Sequence, residues 1–87
     1  MPEPSSAPMG RLDAVDVGPK KLTLQTEFFS RPAWRFETKV YLGGELKKVF
    51  TEDASAIAET DLQRELNEYH QRKFDEIVDG LRSRTQR

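Results

Sequence analysis

The 87-residue chain contains no cysteine, which excludes disulfides, thiolate nucleophiles and cysteine-based zinc sites together. It has a single histidine, so no imidazole pair exists to chelate a metal. Nor is there any apolar run approaching the ~20 residues that cross a bilayer as a helix. The first ten residues, MPEPSSAPMG, lack the charged-then-apolar layout of a secretion signal, so a cytoplasmic location is the expectation. Charge of one sign is also missing: 14 basic residues stand against 15 acidic ones, which argues against a dedicated nucleic-acid binder. A chain this short forms one small domain and buries only roughly 60% of its unfolded surface. Without disulfides or a metal, the usual supplements to such a core are oligomerisation or a partner.

What is present is centred on residues 34–50, WRFETKVYLGGELKKVF. Trp34, Phe36, Thr38, Val40 and Leu42 alternate with Arg35, Glu37, Lys39 and Tyr41, the pattern of a strand with one buried face. Gly43-Gly44 supplies the positive φ angles of a two-residue hairpin turn. Regular pairing from that turn sets Val40 opposite Lys47 and Thr38 opposite Val49. Val49 then joins the face of Trp34, while Tyr41, Leu46 and Phe50 fall on the other face among Glu37, Lys39 and Lys48.

Upstream, residues 1–18 hold Pro2, Pro4, Pro8, Ser5 and Ser6 with scattered apolar residues, and read as a disordered tail. The sharper alternative is that Leu12, Val15 and Val17 form a short segment that orders on a partner. Residues 20–29, KKLTLQTEFF, alternate as a further strand, broken from the next by Ser30-Arg31-Pro32-Ala33. The register that keeps one apolar face sets Phe28 opposite Trp34, Thr26 opposite Phe36 and Leu22 opposite Val40.

After Phe50 the period changes. Leu62, Leu66, Tyr69, Phe74, Ile77, Val78 and Leu81 recur at three- and four-residue steps, predicting an amphipathic helix from about 55–60 to about 80–84. Thr60 and Gln63 have capping-box spacing. Gly80 either ends the helix or is tolerated within it, and Arg64, Glu68, Arg72 and Glu76 form a solvated ladder of alternating sign. The expected fold is therefore α+β: a three-stranded antiparallel meander packed on one long C-terminal helix. Its organisation is a tail at 1–18, one domain at 19–84 and a frayed end at 85–87.

Catalytic signals are weak throughout. His70 has Leu66 and Phe74 one helical turn away, and Asn67 and Lys73 three residues away, so it reads as a packed residue whose titration could tune an interface. Asp61/Glu65 and Asp75/Asp79 lie one turn apart, but nothing indicates a pocket to desolvate them. Ser and Thr show no histidine–acid partner pattern, and Gly43-Gly44 is a turn rather than a phosphate loop. No enzyme, cofactor or metal is expected.

The charges are unevenly placed. Residues 1–19 balance to −2, residues 20–50 to +4 and residues 51–87 to −3, so a basic sheet and an acidic helix attract each other within one molecule. Basic residues interleaved with Phe29 and Tyr41 supply the alternative function, single-stranded nucleic-acid binding on the sheet. It predicts salt-dependent retention on a polyanion that is lost when Lys39, Lys47 and Lys48 are neutralised. The preferred reading follows from geometry, because one helix covers one face of a sheet whereas apolar groups occur on both. Tyr41, Leu46, Lys48, Phe50, Phe29 and Lys39 form the candidate interaction surface, to be covered by a second copy or by another protein. Dimerisation of an overhanging helix through Phe74, Ile77 and Leu81 is a third possibility.

The run Thr38-Lys39-Val40-Tyr41-Leu42-Gly43-Gly44, followed by a helix with Tyr69-His70-Gln71, resembles short uncharacterised bacterial proteins built as strand, turn, strand and helix. The resemblance spans about residues 34–78 and carries no catalytic residue. It implies a strand–turn–strand–helix module; if such proteins act as accessories to cytoplasmic signalling or cell-polarity machinery, a response regulator or small GTPase system is the expected kind of partner, by analogy.

Overall fold

A computed structural model describes residues 3–85. Four strands form one antiparallel sheet in chain order: β1 (Arg11–Val17), β2 (Lys20–Phe29), β3 (Arg35–Leu42) and β4 (Glu45–Asp53). A short 3-10 turn, Glu59–Asp61, leads into the helix α1, Leu62–Thr85. The architecture is the α+β arrangement that the periodicities predict, with four strands instead of three. Of the frayed end expected at 85–87, Thr85 belongs to α1, and residues 86–87 lie outside the described residues.

The added strand lies within the stretch read as a tail. Arg11, Asp13, Val15 and Val17 face the helix while Leu12, Ala14 and Asp16 face outward. The inward row thus begins with two charged residues and the outward row with a leucine, which conceals the period-two apolar signal. Gly18, at φ +63°, and Pro19 make the turn that joins Val17 to its partner Lys20. Glycine adopts this left-handed conformation at no side-chain cost.

Two registers also differ from expectation. Between β2 and β3 the pairs are Phe28 with Phe36, Thr26 with Thr38, Leu24 with Val40 and Leu22 with Leu42. This lies two residues from the expected pairing, so the same residues face the core. A two-residue slip preserves the alternation, and apolar patterning by itself does not distinguish such registers. Between β3 and β4 the shift is one residue and its effect is larger. Gly43 and Gly44 turn the chain at φ +62° and +81°, Tyr41 pairs with Leu46, and then Val40 pairs with Lys48. Lys47 is the extra residue of a bulge. Beyond it every side chain of β4 changes face, so Phe50 turns toward the helix and Val49 away from it.

Helix α1 lies over β1 and β2. Its apolar stripe contributes to two core clusters. One is aromatic, with Trp34, Phe36, Ala54, Leu62, Leu66 and Tyr69. The other is aliphatic, with Leu22, Leu24, Val40 and Val78. No side chain caps the 3-10 turn, whose N-cap position is Ala58. In place of a capping box, Gln63 reaches back to the segment before β1. Its Oε1 accepts from the Met9 backbone N–H at 2.7 Å and its Nε2 donates to the Met9 carbonyl at 3.1 Å. Gly80 lies inside the helix.

Candidate interaction surface and a buried polar seam

Between the two clusters runs a layer of polar side chains with no exposed surface: Thr26, Thr38 and His70. The Thr26 and Thr38 hydroxyls are 2.6 Å apart across the β2–β3 pair. His70 Nδ1 lies 2.7 Å from Thr26 Oγ1, and its Nε2 lies 2.7 Å from Asp13 Oδ2 on β1. Asp13 in turn accepts from the Arg11 guanidinium at 3.2 Å. Proton order follows from chemistry. An ionised carboxylate only accepts, so Nε2 carries the hydrogen toward Asp13. In the neutral ring Nδ1 then accepts from Thr26, whose oxygen accepts from Thr38. No buried polar side-chain atom among the described residues lacks a partner.

The sequence shows no acid–histidine–hydroxyl pattern, yet the fold assembles one from Asp13, His70 and Thr26. The signal is absent because the three lie on different elements, with Asp13 and His70 57 positions apart. The order of atoms matches that used to activate a hydroxyl nucleophile. Access does not match, since His70 and Thr26 are both 0% exposed. What the seam does is tie β1, β2, β3 and α1 together at fixed positions. Among the described residues no group of three metal-ligating side chains comes together, and no helix is long and apolar enough to cross a membrane.

The residues expected to form one interaction surface are divided by the sheet. Tyr41 pairs with Leu46, and Lys39 with Val49, on the face away from the helix. Leu46 and Val49 are 49% and 44% exposed, so Val49 replaces Phe50 in that patch. Phe29 shares the face but pairs with Arg35, six residues along β3 from Tyr41, or about 20 Å. The Arg35 guanidinium covers its ring at 4.7 Å. Lys48 and Phe50 belong to the helix side. The ammonium groups of Lys48 and Lys73 sit 4.8 and 4.9 Å from the centre of the Phe50 ring.

On that side the helix leaves β4 and the Leu42 end of β3 incompletely covered. An open groove of about 320 Å³ runs between α1 and β4, with Leu42, Phe50, Ile77 and Leu81 on its walls and Lys47 and Lys48 on its rim. It exists because α1 lies over β1 and β2, and because the bulge turns Phe50 inward. Periodicity could not reveal it. Phe74, Ile77 and Leu81, the residues of the helix-dimer alternative, pack toward the aliphatic cluster. Comparison with family models, with curated proteins and with solved structures finds no match to this chain.

Proposed function

We propose that this chain is a non-enzymatic protein–protein interaction module, acting by self-association or as an accessory subunit of a cytoplasmic complex. The observation that supports this reading is the groove between α1 and β4. It is apolar within, cationic at its rim, and sits beside the outer edge of β4, with which no strand pairs among the described residues. A sheet edge beside an apolar groove is the arrangement that strand addition uses, with backbone hydrogen bonds for affinity and side-chain contacts for selectivity. The nucleic-acid alternative has less support. Lys48 and Lys39 lie on opposite faces, Lys47 is 3.4 Å from Glu45, and Arg35 is 3.9 Å from Glu37.

Light scattering over a dilution series, together with capture of partners on the immobilised chain, tests this reading. Leu81→Lys places a charge on the groove wall at a half-buried position near the helix end, where circular dichroism should report an unchanged fold. The variant should lose the association, while Tyr41→Glu on the opposite face should keep it. Association indifferent to Leu81→Lys would remove the groove from the account.

A further inference from the structure

The outer edge of β4 carries its own complement. Beyond the bulge at Lys47 the strand runs straight as Lys48-Val49-Phe50-Thr51-Glu52-Asp53, basic at one end and acidic at the other. We infer that its occupant is a second copy of the chain, added antiparallel about a two-fold axis through Phe50. This rests on the interaction-module reading and names the partner and the register. In that register Lys48 of each copy stands opposite Glu52 of the other. Val49 meets Thr51, and the two Phe50 rings meet at the axis. The Lys48–Glu52 pair occurs twice, as a two-fold interface requires.

Directly opposed residues in an antiparallel pair share a face. The register about Phe50 therefore keeps both helices on one side and joins two four-stranded sheets into one. Shifting the axis by one residue in either direction loses the match. About Val49, Lys48 would oppose Phe50 and Glu52 would have no lysine of the straight run opposite it. About Thr51, Phe50 would oppose Glu52 and Val49 would oppose Asp53. Lysines and a bulge often serve to keep an edge strand from pairing. Here the bulge lies outside the straight run, and Lys48 has its acidic counterpart, Glu52, at the matching distance along the same strand. Phe50, held between α1 and the groove, gains the second ring as an apolar neighbour. The other edge, β1, lies beside α1, with its Asp13 committed to His70.

Charge reversal decides the register. Lys48 and Glu52 are both exposed, so neither variant threatens the core, although K48E gives up the ammonium over the Phe50 ring and E52K the 3.6 Å contact with Arg72. At low ionic strength, where surface charge is least screened, K48E should weaken dimerisation about tenfold or more by setting like charges opposite each other twice. E52K should do the same, and K48E/E52K should return the dimer to within about threefold of the wild-type affinity. Sedimentation equilibrium on the full chain reads all three, with circular dichroism as the control for folding. Single reversals without effect would overturn the pairing, and so would a double variant as weak as either single. A wild-type chain that stays monomeric at all concentrations would overturn self-pairing. If that monomer still bound another protein through the groove, the interaction-module reading would stand without it.

Discussion

The two ends of the core are built differently. At one end the Phe36 ring lies tilted against Tyr69 at 5.9 Å, Phe28 meets Trp34 edge-on at 5.9 Å, and Ala54 and Leu62 close the layer with 1% exposure or less. The link from β4 to α1 passes over this end, its Ala54 N–H donating to the Trp34 carbonyl at 2.9 Å. At the other end the cluster of Leu22, Leu24, Val40 and Val78 is continued by Leu42, Phe50, Ile77 and Leu81, all only partly buried. One end is sealed by the chain itself and the other is left to solvent or to a partner. In a small domain without cross-links, stability then concentrates where the aromatics are, and the aliphatic end is available for recognition.

Truncation at each end gives the largest contrast. Phe36→Ala removes a ring from the sealed end and should cost about 3–5 kcal/mol. Leu81→Ala removes a half-buried side chain from the open end and should cost about 1 kcal/mol. Urea unfolding at low protein concentration measures both. Equal losses would mean that the open end is sealed in solution, and a Leu81→Ala loss that grows with protein concentration would place a second copy there.

The seam between the two ends comes next. His70→Leu leaves the Thr26 hydroxyl without its imidazole acceptor in a site that water does not reach, which should cost about 1–3 kcal/mol. Asp13→Asn should cost less, because an amide oxygen still accepts from Nε2 and Asp13 is part-exposed. If His70→Leu were neutral, the two clusters would be one continuous apolar core that happens to contain polar atoms.

How much of this was legible from the residues depends on the distance over which each feature is encoded. Local signals were sufficient for the Gly43-Gly44 turn, for the alternation of β2 and β3, and for the stripe from Leu62 to Leu81. β1 was hidden because its inward row opens with Arg11 and Asp13. There Asp13 meets Arg11 and His70, and His70 is a residue that chain order places far away. The bulge was hidden because Lys47 differs from its neighbour Lys48 in no chemical way. That one residue decides the face of Phe50, and with it the division of the candidate surface. Hydroxyl contact between Thr26 and Thr38 followed from the two-residue register difference, to which patterning was blind.

A smaller effect, of opposite sign, sharpens the same contrast. Gly80 lies in α1 with open space where a Cβ would stand, and glycine in a helix interior is about 1 kcal/mol less favourable than alanine. Gly80→Ala should therefore raise the melting temperature by about 4–8 °C. Gly10→Ala should lower it, because its Cβ would come 2.8 Å from the Thr26 carbonyl oxygen. A stiffer helix end that leaves dimer affinity unchanged would separate the stability of the open end from its recognition.

The weakest effect is confined to alkaline solution and reports on the sealed end. Burial raises the Tyr69 phenol above its ordinary value of 10.0, and the Glu52 and Glu76 carboxylates add to the rise. The Thr38 hydroxyl and the Arg72 guanidinium act in the other direction. A phenol held neutral by folding stabilises the native state fully below pH about 10, where both states keep the proton. Above that the unfolded chain releases its proton first, so stability falls as pH rises toward the folded value. Urea midpoints compared at pH 9 and pH 11 should show this loss. Tyr69→Phe should remove the part due to the phenol, and Glu52→Gln should reduce it. An equal loss in Tyr69→Phe would mean that the alkaline sensitivity does not arise from this phenol.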